Sequence, residues 1–416
     1  MKAIGFTCGI GSMLVGARMA GFEIVGNIEW RKYYHHRDGE GRNTFEENFK
    51  GAWLVKSVDK MTPEQIEEAT GCDLAMGHPE CGNFSSMSHT VRRNDGRSST
   101  EMYYDPGDIP LFVDMVARFK PRFFVMDDLP KALLGYTMKD YAEALPDYDL
   151  FPEWISNHGY GNVQKFRRRF FMIGALKTEK FVFQPGEFPH QKTMRDVIGD
   201  IYQDTLTGVD SRLANHHPHT LKGSTSKGRG MMGITDRHLT FKELRDYFAK
   251  QKDGASAKYI KADGTEGTHV GVRKGHWEGL CPVLHGGHPI YHPRTNLPLS
   301  VRERARLQGL PDSFIFYGEV LEKDGTWNHY RNIPLIKQTG KCMPIQFCHF
   351  VSAQIADHIE GLPNDPGERT VPPQAEIAEA KKWYCSHVGY TDQPKACGAC
   401  HLTKDECEGP QTEMED

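Results

Sequence analysis

Over the first 175 residues, short apolar runs alternate with helix-like segments, the pattern of a doubly wound α/β sheet of parallel strands. Ala3-Ile4-Gly5-Phe6-Thr7-Cys8 predicts a strand. Gly9-Ile10-Gly11-Ser12 follows it, then a helix through Ala20 that Gly21 ends. Phe22 to Glu29 predicts the next strand, and the runs Cys72–Gly77, Arg122–Asp127 and Arg169–Gly174 repeat the pattern, each closing on polar or glycine residues. Ligands of such sheets collect at the carboxyl ends of strands, so those endings are where chemistry is expected.

From 176 to 290 the periodicity weakens into Gly-, His- and Lys-rich sequence, which predicts a separate, loop-rich domain. Helical pattern returns at Ser300–Gly309, where Ser300 with Glu303 three residues on reads as a capping box. Beyond Gly361 a Pro-rich stretch leads to a charged helix and a cluster of cysteines.

The chain has 416 residues, which at roughly 100–200 residues per domain predicts two or three packed units. With 38% hydrophobic and 25% charged residues it falls in the globular class. Its 51 Lys and Arg against 55 Asp and Glu give a net charge of −4, so net charge offers no argument for a polyanionic partner. Any case for nucleic acid must come from motifs. No run approaches the roughly 20 apolar residues of a membrane span, and Met1-Lys2-Ala3-Ile4-Gly5-Phe6 has no secretory pattern. A cytoplasmic, monomeric protein with reduced thiols is expected.

A strand, Gly9-x-Gly11 and a helix form a loop that a cofactor can approach closely, and Glu29 at the end of the next strand suits a ribose diol. Tight strand–helix packing beside a surface Glu is the alternative. Cys81, in Gly77-His78-Pro79-Glu80-Cys81-Gly82-Asn83-Phe84-Ser85, follows a strand end, where an exposed thiol serves as a nucleophile once deprotonated. A small buried hydrophobe is the alternative there.

Taken together, six segments resemble the DNA cytosine-5 methyltransferase family in the family's order. Phe6–Ser12, Ala20-Gly21-Phe22 and Asn27-Ile28-Glu29-Trp30 are similar to its cofactor motifs, and Pro79–Ser85 to its nucleophile loop. Lys120–Pro130 stands at the family's Glu-Asn-Val strand end, and Gly161–Arg169 resembles Gln-x-Arg-x-Arg with one residue extra. Leu299–Phe314 is the closest match, and Gln338–Pro344 resembles the last motif.

The resemblance implies a Rossmann-like methyltransferase sheet in 1–175, a target-recognition domain in 176–290, a return to the catalytic domain in 291–362, and a tail in 363–416. It implies S-adenosylmethionine as cofactor, bound by Gly9, Ile10, Gly11, Glu29, Trp30, Ser57 and Lys341, and double-stranded DNA of a bacterial or phage setting as substrate. Carbon 5 of cytosine is too weak a nucleophile to attack a sulfonium, so the family adds a thiolate at carbon 6. Cys81 takes that part. Asp127, with Asp128 adjacent, stands where the family's Glu protonates N3, Arg169 holds the base oxygen, and Arg167 supports the nucleophile. The base must leave the helix to reach such a pocket.

The sequence departs from the family at several of these positions. Glu80 replaces the Pro before the nucleophile and repels a thiolate, and Gly82 replaces the Gln after it. Ser57 replaces the acidic residue that meets the adenine, although Asp59 is close, and Asp127 is one methylene shorter than Glu. Lys341 replaces an Asn near the methionine end of the cofactor. An ammonium beside a sulfonium needs an intervening anion. Carboxy-S-adenosylmethionine would carry one and would make the product carboxymethylcytosine. The alternative is that Lys341 pairs with a protein carboxylate or with the cofactor's own. A catalytically inactive DNA-binding homologue and an RNA cytosine-5 methyltransferase are the rival functions. In the tail, Cys385, Cys397, Cys400 and Cys407 include a CxxC knuckle and could supply four ligands to a structural zinc ion, with unligated thiols as the alternative.

Overall fold

A computed structural model describes residues 1–84, 104–165, 167–186, 192–201, 213–216, 225–226, 239–260, 265–286, 290–318, 333–343 and 345–362. The proposed zinc ligands Cys385, Cys397, Cys400 and Cys407 lie outside them.

A seven-stranded sheet is the centre of the protein. Its strands are β1 (Lys2–Phe6), β2 (Glu23–Ile28), β3 (Trp53–Val55), β4 (Leu74–Gly77), β5 (Phe123–Asp128), β6 (Tyr148–Ser156) and β7 (Arg168–Leu176), in the order β3-β2-β1-β4-β5-β7-β6. From β3 to β5 all pairings are parallel. β7 runs antiparallel to both β5 and β6. The expected all-parallel sheet is therefore corrected at one edge. Only residues 157–167 join β6 to β7, too short for the helical crossover a parallel neighbour needs but ample for a hairpin.

Side-chain alternation sorts each inner strand onto two apolar layers. Leu74, Met76, Phe123, Val125, Phe171 and Ile173 face one, and Ala75, Phe124, Met126, Phe170 and Met172 the other. Helix α1 (Ser12–Met19) packs in the first layer, and α2 (Ile109–Phe119) supplies Phe112, Val113 and Val116 to the second. The first layer is completed by α4 (Ile345–Ile359), which lies so close to α1 that a Cβ on Gly16 would come within 2.7 Å of Cys348 Cβ and of the His349 amide nitrogen.

The span 176–290 contributes strands β8 (Thr225–Ser226), β9 (Leu239–Thr240), β10 (Ser256–Ile260) and β11 (Glu266–Lys274). β10 and β11 form a small sheet with β12 (Ile290–Tyr291). Residues Met194, Ile198, Trp277 and Cys281 from this span share an apolar cluster with Leu299 and Leu307. Helix α3 (Val301–Gln308) begins with the anticipated capping box: Glu303 N donates to Ser300 Oγ at 3.0 Å and Ser300 N to Glu303 Oε2 at 2.7 Å.

Candidate active site

The strand order reverses between the parallel neighbours β1 and β4, which makes their carboxyl ends the switch point where α/β sheets hold ligands. Two loops leave from there, Thr7–Gly11 after β1 and His78–Phe84 after β4.

The first loop is held in conformations that ordinary residues avoid. Thr7, Gly9 and Gly11 have φ of 65°, 61° and 85°; for the β-branched Thr7 this is a strained backbone, the kind that concentrates at functional sites. Asn27 ties the loop down, its Oδ1 accepting from Cys8 N and its Nδ2 donating to Gly9 O. Glu29 is fully buried, with Oε2 accepting from Gly9 N and Arg31 Nη2 at 2.7 Å and Oε1 from Arg31 N at 2.9 Å and Arg31 Nε at 2.7 Å. A carboxylate has about four acceptor positions, so protein donors use all of them. A ribose diol would have to displace one. The neighbouring Arg31 Nη1 is buried with no hydrogen-bond partner among the described residues, a spare donor at the same place. Positive-φ glycines, helix α1 starting beside them and that spare guanidinium nitrogen fit a nucleoside cofactor. Trp30 donates its indole N–H to Asp108 at 3.1 Å, and Ser57 caps a short turn after β3.

The second loop carries Cys81 on a short 3₁₀ turn. Burial raises its thiol, but His78 and Arg169 outweigh burial and bring it down to about 7, while Glu80 pushes weakly the other way. The repulsion expected from Glu80 is thus overcome by two cationic neighbours. Glu80 is itself compensated: Lys341 Nζ lies 3.2 Å and 3.3 Å from its carboxylate oxygens and donates to Tyr33 Oη at 2.8 Å. The structure therefore pairs Lys341 with a protein carboxylate.

Asp127 and Asp128 end β5, fully buried on opposite faces. Asp127 Oδ2 stands 2.9 Å from His78 Nδ1 and 3.8 Å from Arg169 Nη1, yet neither carboxylate oxygen has a hydrogen bond of good geometry among the described residues. Arg169 Nε and Nη1 are likewise buried and unpartnered. An orphaned buried polar group costs about 1–3 kcal/mol, so such a cluster marks a place built for a polar ligand. Asp128 differs. Burial, reinforced by Cys81, holds its carboxyl well above the usual range. Arg167, beside the cluster, donates to the carbonyls of Leu284 and Cys342, joining the sheet to the loop that bears Lys341.

Cys81, Asp127 and Arg169 thus meet in one buried cluster, Lys341 touches its rim through Glu80, and Gly9, Ile10, Gly11 and Glu29 form the adjoining loop. Sequence reasoning missed His78. Its only signal is position, three residues before Cys81 and immediately after the glycine that ends β4.

A sequence profile described as C-5 cytosine-specific DNA methylase matches residues 1–357. The chain belongs to this family. DNA cytosine-5 methylation with S-adenosylmethionine is the family's activity. The Type II methyltransferase M.FnuDI of Fusobacterium nucleatum is 24% identical over 377 residues, spanning 86% of this chain and 94% of its own length. The Type II methyltransferase M.MthTI of Methanothermobacter thermautotrophicus is also 24% identical, over 88% of this chain and 99% of its own. Among solved structures, a DNA modification methyltransferase encoded within an E. coli prophage superposes with a TM-score of 0.53 at 19% identity, covering 88% of this chain and 100% of that one, a likeness of fold. Among the described residues of this family member no helix is long and apolar enough to cross a membrane, and no group of three His, Cys, Asp or Glu side chains could hold a metal ion.

Proposed function

We propose that the protein methylates carbon 5 of a cytosine turned out of double-stranded DNA, through a covalent adduct at Cys81. The observation that carries this reading is the switch-point cluster itself: a thiol brought down to about 7, beside buried Asp127 and Arg169 atoms that have no well-formed hydrogen bond among the described residues. In this reading Arg169 holds the base oxygen and Asp127 serves N3, with Asp128, whose carboxyl burial holds above the usual range, adjacent to it. Arg167 positions the strand that carries Arg169. Gly9, Ile10, Gly11, Trp30 and Ser57 line the cofactor's place, and S-adenosylmethionine supplies the electrophilic methyl group when bound. Glu29 reaches the ribose only if an Arg31 contact yields. Residues 176–290 read the target sequence, and Cys385, Cys397, Cys400 and Cys407 staple the tail around zinc.

Methyl is favoured over carboxymethyl because Glu80 already supplies the anion that Lys341 requires. Mass spectrometry of nucleosides from DNA treated with both cofactors should return 5-methylcytosine; carboxymethylcytosine would reverse that assignment. The central test is trapping on a 5-fluorocytosine duplex with S-adenosylmethionine. A covalent complex that disappears in Cys81→Ala is expected. No complex from the wild type would overturn the reading in favour of a non-catalytic DNA-binding protein, and a complex on RNA alone would move the substrate to RNA.

A further inference from the structure

We infer that His78 is the base that takes the Cys81 proton, so that the nucleophile rests as a thiolate–imidazolium pair braced by Asp127. The inference rests on the proposed role of Cys81 and extends it to a residue whose type and place no motif predicted.

The geometry is that of a nucleophile, a base and an orienting carboxylate. His78 is 4% exposed, pinned directly after β4. Its Nδ1 is turned to Asp127, 3.2 Å from the main-chain oxygen and 2.9 Å from Oδ2. That leaves Nε2 for the sulfur, and the side chains of His78 and Cys81, three residues apart on one short loop, act directly on each other. The step balances simply: the S–H bond breaks, its proton forms an N–H bond at Nε2, and the electron pair stays on sulfur to attack carbon 6. When the adduct later collapses, the same imidazolium can return the proton to the departing thiolate. Asp127 lies between His78 and Arg169 as the orienting group.

Burial alone would keep His78 neutral, but Asp127 and Cys81 more than offset it and raise the imidazole to about 9. Among the described residues, the charged groups that act on the pair include Asp127 and Asp128 from β5, Arg169 and Arg167 from β7 and the residue before it, Glu80 from the loop, and Lys341. Two of these neighbours, His78 and Arg169, do most to lower the thiol.

The test is the rate of iodoacetamide alkylation at Cys81, followed by mass spectrometry of its peptide from pH 5 to 10. The wild type should alkylate with a midpoint near 7. In His78→Gln the midpoint should move to 9 or above. At pH 7 the rate should then fall about sixfold, because a roughly fiftyfold loss of thiolate is partly offset by the greater nucleophilicity of a more basic sulfur. Asp127→Asn should move the midpoint in the same direction by less. A wild-type midpoint near 9 overturns the pair without any variant, and so does a His78→Gln profile, from protein whose thermal melt shows it folded, that coincides with the wild type. Alkylation reports the pair even if no 5-fluorocytosine adduct forms, so failure of the DNA reading and failure of the pair give different results.

Discussion

Two regions of this protein bury charge to the same depth and use it in opposite ways. On α3, Arg302 and Arg304 are essentially inaccessible, and each donates to several oxygens: Arg302 to Ala214, Pro311 and Phe314, and Arg304 to Thr339, His285 and Ile336. At the ends of β5 and β7, Asp127 and Arg169 are as deeply buried and keep atoms without a hydrogen bond among the described residues. The first arrangement knits the segments around 214, 285, 312 and 339 to one helix. The second holds polar atoms in reserve. Burial by itself therefore does not mark a functional residue; what sets the sheet-end cluster apart is that buried polar atoms of opposite charge meet there without hydrogen bonds among the described residues. The segment of closest family resemblance, 299–314, turns out to be scaffold.

The sharpest way to break this contrast is to remove one group from each region. Cys81→Ala should abolish trapping and lower turnover by at least about 10⁴-fold. Its urea midpoint should shift little, since a small side chain is lost from a loop. Arg304→Ala should do the reverse, costing about 3–5 kcal/mol in urea denaturation because buried oxygens lose their donor. A loss under about 1 kcal/mol would show that α3 is not held by these bonds.

Glu303 sharpens the comparison from within α3, because its Oε2 serves the cap while Oε1 is buried without a hydrogen-bond partner. Burial raises this carboxyl to about 7, against the pull of the Ser300 bonds. A carboxyl raised by folding favours the fold in its neutral form, so its contribution is complete below about 4.5 and declines as pH rises to about 7. Glu303→Gln should therefore gain on the wild type across that window, by on the order of 2 kcal/mol, in melting temperatures taken from pH 4.5 to 7.5. Parallel curves would reject the assignment. The smallest effect belongs to Lys341→Met. Its ion pair with Glu80 is about one-third exposed, so about 1 kcal/mol or less of stability is at stake. Cys81 alkylation at pH 7 should slow a few-fold as the unpaired Glu80 raises the thiol.

Much of the sheet was legible because alternation and apolar runs follow directly from burial on two faces: β1, β2, β4 and β5 lie where the pattern places them, as does the Ser300 cap. Strand β6 was not, since Tyr148–Ser156 carries Asp149, Pro152 and Glu153 and is only partly buried along most of its length. The direction of β7 was equally hidden, because pairing sense depends on the connection rather than on the strand's composition. At the site, Cys81, Asp127 and Arg169 could be named from the family resemblance. The consequences of their meeting could not. Glu80 looked like a penalty on the thiolate until Lys341, 261 positions away, proved to be its partner. A single histidine in a loop has no periodicity, so His78 needed three dimensions to be noticed.

The contact of α1 with α4 has a consequence for how the molecule is made. The face of α1 that α4 covers leaves the ribosome more than 300 residues ahead of its cover. At about 5–20 residues per second, that apolar stripe waits for tens of seconds. The nascent sheet therefore has a long interval in which α1 can be claimed by a chaperone or by another chain, and only the arrival of α4 ends it.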